Sequence, residues 1–375
     1  MIRTSRAHLR IEAHTHPGMS GKNNEDRYAV ASFHANEKDR TPVVFAVLAD
    51  GIGGHQGGEV AAELAVNHIM QSVAKGDGKF SQHIIEQAVN EASSAIASHS
   101  STNDELKGMG ATCVIVWIIE NKLYTAYVGD SRIYLMRAGQ IQQLTIDHSW
   151  VQEAIEKGIL TPELARDHPN VHVIRRYLGS PVPPEPDFRL TLSEGEDAKQ
   201  AENNQGMELQ PNDVLLLCSD GLTDLVWNDE ILEVVRTKSS LKEASRALVD
   251  LANERGGHDN ITVVLIGVPE DYIPKDETKN KETKKKDTNW LPWIIGGAGL
   301  FLFLVVASIL AFNLFRSNGT LTATPAVSAT LLATVTPMIS STPTIIPTET
   351  ASPDVVLPVE PTFTLTPWPT NTTTP

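Results

Sequence analysis

The chain has 375 residues, with 31 Lys and Arg against 46 Asp and Glu, for a formal net charge of −15. That acidic balance excludes the basic footprint a nucleic-acid surface needs and suits a site that gathers carboxylates around cations. The two cysteines, Cys113 and Cys218, sit inside apolar runs (ATCVIVWII and VLLLCSDG), which excludes a disulfide framework and fits buried thiols in a reducing compartment.

In chain order, runs rich in Val, Ile, Leu and Tyr and bounded by turn residues predict strands over 27–33 and 43–49. Helical patterns follow at 57–74 and 80–98, the second placing Ile84, Ala88, Ala92, Ala95 and Ile96 on one apolar stripe. Strands are expected at 112–119, 123–128 and 133–137, with hairpin turns at Asn121 and Gly139. The stretch 146–190, with several prolines and a short helix at 149–156, reads as a semi-ordered insertion beside the core that shapes substrate entry. Its His148 and His168 are expected to be packing or surface residues. A strand at 214–218, helices at 229–235 and 241–254, and a strand at 261–268 complete the pattern. This order is not the strand–helix alternation of a doubly wound parallel sheet; it predicts sheets with helices packed outside them.

Four regions follow from composition. Residues 1–269 have the make-up of one globular domain, and 270–293 form a charged linker. The run 294–315, IIGGAGLFLFLVVASILAFNLF, is 22 residues without a charge, and 316–375 is rich in Thr, Pro and Ser. As a helix at about 1.5 Å per residue the apolar run spans a bilayer core, so one transmembrane segment is expected there and a disordered tail after it. Lys275, Lys279, Lys281, Lys284, Lys285 and Lys286 precede the run and only Arg316 closely follows it. That asymmetry places the globular part in the cytoplasm and the tail outside the cell membrane. Nothing before residue 290 resembles a signal peptide, since residues 1–16 lack an apolar core run.

Three apolar strands run into an Asp followed by Gly or Ser: Asp50-Gly51, Asp130-Ser131 and Asp220-Gly221. Asp259 and Asn260 stand just before another strand, and Asn24-Glu25-Asp26 lies near the start. A carboxylate at the mouth of a buried strand costs desolvation unless a cation or several donors offset it. One Asp-Gly alone is a turn signal; the repeated placement predicts convergence on divalent ions. Oxygen donors without a His or Cys cluster favour Mg²⁺ or Mn²⁺ over Zn²⁺.

The stretches NNEDR (23–27), ADGIGGHQGGEVAA (49–62), GMGAT (108–112), VGDSRIY (128–134), CSDGLTD (218–224) and GGHDNIT (256–262) occur in an order that resembles the metal-dependent serine/threonine protein phosphatases of type 2C, here in a bacterial, membrane-anchored form. The resemblance covers about residues 12–269. It implies an α+β fold, a four-layer α-β-β-α sandwich of two antiparallel sheets flanked by helices, with a metal cleft at one end. It implies that Asp50 bridges two Mn²⁺ or Mg²⁺ ions, that the Gly51 carbonyl holds the second, and that Asp220 and Asp259 hold the first. Asp26 matches an acidic position that holds metal-bound water, with Glu25 as its helper. Asp130 with Asp220 matches the site of a weaker third ion, and Asn260 is a structural partner beside Asp259. The implied partners are phosphorylated cytoplasmic proteins, including Ser/Thr kinases and their substrates, met by a monomeric domain.

The chain departs from the family pattern twice. Gly21 stands where GxxRxxNED has a phosphate-gripping Arg, with Lys22 one residue away; Ile52 stands where many eukaryotic members have a His. His55 is not assigned as a general acid. The rival reading, a catalytically silent phosphoprotein-binding module, is favoured only by Gly21 and opposed by retention of every expected carboxylate.

Overall fold

The structure, a computed structural model, describes residues 1–53, 57–193 and 195–272. His55, most of the linker, the apolar run 294–315 and the 316–375 tail therefore lie outside the described residues. Every element below belongs to the first of the chain's two units, Met1–Asp287. Among the described residues no helix is long and apolar enough to cross a membrane.

The chain enters through β1 (Ile2–Thr4), β2 (Arg10–His16), β3 (Arg27–His34) and β4 (Pro42–Ala49). A short strand β5 (Gly51–Ile52) precedes α1 (Gly57–Ala74) and α2 (Gln82–Thr102). Then come β6 (Gly110–Ala111), β7 (Cys113–Ile119), β8 (Lys122–Val128), β9 (Arg132–Arg137) and β10 (Gln140–Gln143). Helices α3 (Trp150–Glu156), α4 (Pro162–Arg166) and α5 (Ala198–Asn203) lead to β11 (Met207–Glu208) and β12 (Val214–Cys218). The turn α6 (Asp220–Thr223), α7 (Asn228–Thr237), α8 (Leu241–Glu254) and β13 (Ile261–Gly267) close the fold.

These strands make a six-stranded sheet, β1-β3-β4-β7-β8-β11, and a five-stranded sheet, β10-β9-β12-β13-β2, both antiparallel. Period-two alternation decides which core each residue enters. Phe45 and Val47 of β4 and Ile115 and Trp117 of β7 face α1 and α2. Val44, Ala46 and Leu48, with Val114 and Val116, face the second sheet, meeting Ile133, Leu135, Leu215, Leu217, Val264 and Ile266. The opposite faces of β9, β12 and β13 (Tyr134, Leu216, Cys218, Val263, Leu265) pack on Leu248, Val249 and Ala252 of α8. Three apolar clusters thus separate helices, sheet, sheet and helices. Because both faces of β4 are covered, Val43 to Ala49 are all buried, which explains a continuous apolar run where a half-exposed strand would alternate.

Three expectations change. The buried stripe of α2 is Ile85, Ala88, Val89, Ala92, Ser93 and Ile96, so it is turned toward Ile85 and Val89; Ile84 and Ala95 are only partly buried. Strands β1, β2, β5, β6 and β11 have no counterpart in the sequence pattern, being short or polar and ordered by their neighbours, while β10 is the return strand of the hairpin expected at Gly139. The 146–190 stretch is tied down rather than semi-ordered. Ser149 caps α3 through Gln152 N (3.3 Å), Tyr127 and Asp187 exchange backbone hydrogen bonds, and Leu178 pairs with Ala111. As expected, His148 is a packing residue: buried, it stacks on Tyr127, accepts from Gly129 N at Nδ1 (3.1 Å) and donates from Nε2 to Asp187 (3.2 Å). His168 stacks on Trp150. Burial pushes the Asp187 carboxyl up, but His148 and Arg189 hold it well below the usual carboxylate range.

Candidate metal centre

Strand register brings the carboxylates to one end of both sheets. Arg27 pairs with Ala49, so Asp26 and Asp50 leave adjacent ends of β3 and β4. Cys113 pairs with Val128, so Thr112 and the 129–131 turn lie at that same end. This turn carries the chain from the first sheet into β9 of the second. Cys218 pairs with both Arg132 and Val263, which puts Asp130, Asp220 and Asp259 at neighbouring strand ends. Residues nearly 200 positions apart in sequence therefore meet, as in the 2.7 Å hydrogen bond from Ser219 Oγ to Asp26 Oδ2.

Burial and mutual repulsion raise these groups. Asp26 is 3% exposed, and burial lifts its pKa to about 6 even though hydroxyls of Thr262 and Ser219 oppose the shift. Burial and then the Asp26, Asp220, Asp130 and Asp259 charges push the half-buried Asp50 well above the carboxylate range. Asp220 rises for the same reasons, with Asp130, Asp224 and Asp259 as its charged neighbours. Asp130 is pushed up to about 7 by burial and then Asp147. Glu25 is raised by burial and Asp259, while the exposed Lys22 opposes that shift. Asp259 is exposed and accepts the Asn260 N–H (2.8 Å). Asp26 Oδ1 and Asp130 Oδ1 are buried without a protein hydrogen-bond partner. Orphaned carboxylate oxygens beside mutually repelling carboxyls are the donor set a hard divalent ion fits.

Uncharged residues hold this arrangement. Asn260 is 5% exposed; its Oδ1 accepts from Glu25 N (2.6 Å) and its Nδ2 donates to the carbonyls of Pro17 and Asn23 (3.0 Å each). Thr112 Oγ1 accepts from Asp50 N (3.1 Å) and meets Ser131 Oγ (2.7 Å), linking two of the aspartate turns. Strand β6 pairs with β5, so GMGAT braces the Asp50-Gly51 turn. A Cβ on Gly51 would lie 2.1 Å from the Gly58 carbonyl oxygen and 2.7 Å from that of Glu25, so only glycine permits this approach.

Within the described residues, one set of side chains brings three ligand atoms within 4.8 Å of one another: His172, Asp220 and Asp224. Helical turn α6 places Asp220 and Asp224 on one face, with Asp224 N donating to Asp220 O (2.8 Å), and His172 Nδ1 lies 3.5 Å from Asp224 Oδ2. One imidazole thus stands beside the expected oxygen donors. Sequence reasoning missed His172 because it lies inside the 146–190 stretch, 48 or more residues from Asp220; Asp224 stood in the quoted CSDGLTD motif without a role. Asp50, Asp26 and Asp259 are not in that set.

The family model for protein phosphatase 2C matches residues 14–154 and 205–261. The protein phosphatase PhpP of Streptococcus pneumoniae is 34% identical over 273 residues, 70% of this chain and 99% of the relative. The chain belongs to the protein phosphatase 2C family. Among solved structures, the S. agalactiae serine/threonine phosphatase matches with a TM-score of 0.60 and 33% identity, over 69% of this chain and 99% of that one. The catalytic domain of the phosphatase PstP in complex with two manganese ions matches with a TM-score of 0.56 and 33% identity, over 70% and 98%. This chain is thus a metal-dependent serine/threonine protein phosphatase of the 2C type. In this 2C domain Gly21 adopts a left-handed φ of 73° in an exposed turn, and a side chain there would meet nothing within 4 Å.

Proposed function

We propose that the 2C domain hydrolyses phosphoserine and phosphothreonine in cytoplasmic proteins, opposing Ser/Thr kinases, at a centre where Asp50, the Gly51 carbonyl, Asp220 and Asp259 hold two Mn²⁺ or Mg²⁺ ions. Asp26 and Glu25 border that centre, and Asp130 with Asp220 holds a weaker third ion. The observation that carries this reading is the strand register that brings Asp26, Asp50, Asp130, Asp220 and Asp259 to one end of both sheets, with Asp26 Oδ1 and Asp130 Oδ1 buried and without a protein partner. Ligands spread around two ions need not all fall within reach of one another. The PstP catalytic domain in complex with two manganese ions supports the ion count.

When bound, such ions supply hydroxide at neutral pH and screen the phosphoryl oxygens. The chain's own residues leave water as the nucleophile. Ser219 is fully buried and donates to Asp26, while Ser131, 1% exposed, is engaged with Thr112. Cys218 is fully buried in β12, and burial pushes its thiol up to about 12. None of the three can reach a phosphoester, so the displacement is direct, without a phosphoenzyme. Asp26 Oδ1 is free to accept a hydrogen from water entering the cleft. Lys22 is the exposed cation of the loop that carries Gly21 and serves a looser phosphate contact than a bidentate Arg would give.

The run 294–315 is proposed as a single membrane span, tethering the domain on the cytoplasmic side with the tail outside. A manganese-dependent assay on a phosphothreonine peptide, comparing the full chain with Asp50→Asn, tests the catalytic reading. Turnover should fall at least 100-fold in the variant; equal turnover refutes the assignment.

A further inference from the structure

Two charged residues inside the family motifs, Arg27 of NNEDR and Glu59 of ADGIGGHQGGEVAA, supply no ligand to the centre. We propose that they form a positioning strap. Arg27, held to Glu59 on the first turn of α1, fixes the loop that carries Asp26 relative to the Asp50-Gly51 turn and so sets the rate of the chemical step. The inference rests on the phosphatase reading above and deepens it, naming residues that act through Asp26 without touching substrate or ion.

Arg27 opens β3, and its side chain folds back over the loop that precedes it. Nη1 donates to the carbonyls of Asn24 (2.9 Å) and Asp26 (2.8 Å), and Nη2 donates to Glu59 Oε1. One planar guanidinium thus serves three acceptors, a use of its fork that a lysine ammonium reproduces poorly. The loop is gripped from both sides. Asn260 takes the Glu25 N–H toward β13, while Arg27 takes two of the loop's carbonyls toward α1. Ser219 holds Asp26 Oδ2 and leaves Oδ1 without a protein partner.

The other end of the strap is equally fixed. Glu59 lies in the first turn of α1, where the helix dipole favours a carboxylate. That turn meets the centre through its backbone. A Cβ on Gly58 would lie 2.7 Å from Glu25 Oε2 and 2.7 Å from the Gly51 carbonyl oxygen, and one on Gly57 would lie 3.2 Å from Met109 Cβ. The start of α1 therefore abuts both the Glu25 side chain and the Gly51 turn. Arg27 and Glu59 close a ring that runs through the 24–26 loop, the strap, Gly58 and Gly51.

Exposure separates this role from ordinary stabilisation. The side chains of Arg27 and Glu59 are 29% and 37% exposed. An ion pair that open to water adds little to stability. It adds alignment, and a misplacement of about 1 Å beside the reacting atoms costs as much as roughly 100-fold in rate.

The test uses the full chain in mild detergent, with a phosphothreonine peptide at saturating Mn²⁺. It measures kcat, KM and Mn²⁺ affinity for the wild type, Arg27→Met, Arg27→Lys, Glu59→Ala and the double variant of Arg27→Met with Glu59→Ala. Arg27→Met should lower kcat roughly tenfold or more, with KM and Mn²⁺ affinity held within about twofold. Glu59→Ala should lower kcat several-fold. Added to Arg27→Met it should cost no more than about twofold further, because both act through one contact. Arg27→Lys should recover only part of the loss. The strap is overturned, and the phosphatase reading left standing, by unchanged kcat in Arg27→Met, full recovery with lysine or multiplicative losses in the double variant. A KM or Mn²⁺ affinity that worsens as far as kcat overturns it equally. If Arg27→Met does not fold, Glu59→Ala, which leaves both carbonyl hydrogen bonds in place, decides by its kcat alone. A wild type without Mn²⁺-dependent turnover overturns both readings.

Discussion

Asn260→Ala should uncouple the loop that carries Glu25 and Asp26 from the end of β13. The side chain makes three hydrogen bonds, accepting from Glu25 N at 2.6 Å and donating to the Pro17 and Asn23 carbonyls at 3.0 Å each. Each intramolecular hydrogen bond contributes about 1 kcal/mol net, and a buried group left without a partner costs about 1–3 kcal/mol. The three backbone groups lie in a partly buried loop, where water can replace some of the loss, so a destabilisation of about 2–4 kcal/mol is expected. The assay is urea unfolding of the full chain in chelator, with the Mn²⁺ affinity of the folded protein measured in parallel. Asn260→Asp makes the comparison sharper. It keeps the shape but turns an acceptor toward two carbonyls, so at pH 7 it should cost at least as much as Ala. The substituted carboxyl would have a raised folded-state pKa, so its penalty should shrink as pH falls and the group is protonated. A loss under about 0.5 kcal/mol for Ala, or a neutral Asp substitution at pH 7, would refute the view that this amide organises the site.

Thr112→Val removes the hydroxyl that joins Asp50 N to Ser131; it should cost about 1–2 kcal/mol in urea unfolding and lower kcat more than it raises KM. Gly21→Arg meets no neighbouring atom but must adopt φ +73°; it should lower KM for a phosphopeptide while lowering stability by about 1 kcal/mol, and an unchanged KM would count against Gly21 as a lost phosphate contact. With Asp26 raised to about 6 and Asp130 to about 7, the ion-free folded state binds more protons than the unfolded chain. Ion-free stability should therefore fall as pH rises from about 4 to 7, while Mn²⁺ affinity rises over pH 6 to 8 with proton release, read by calorimetry in buffers of different ionisation enthalpy.

Much of this was legible in the sequence where one local rule dominated. Strands β4, β7, β12 and β13 lie in apolar runs between turn residues, and the β9–β10 hairpin turn is marked by Gly139. The aspartates at strand ends announced themselves because Asp after an apolar strand is costly unless something answers it. Other features depend on tertiary neighbours. Strand β2, RIEAHTH, has only Ile11 and Ala13 as apolar residues and is a strand because β13 pairs with it along seven residues. The α2 stripe was misplaced because its apolar positions spread over more than one face, and packing against α1 and the sheet selected Ile85 and Val89. His172 carries no local signal at all. Its approach to Asp224 depends on the path of the 146–190 segment, which Arg166 and the Tyr127–Asp187 pairing fix.

The most direct test is a crystal structure of the domain grown with Mn²⁺, with anomalous diffraction recorded at the manganese edge. Two strong peaks in contact with Asp50, one also touching Asp220 and Asp259 and the other the Gly51 carbonyl, are predicted. Peaks away from Asp50, or none at this end of the sheets at saturating Mn²⁺, would contradict the account.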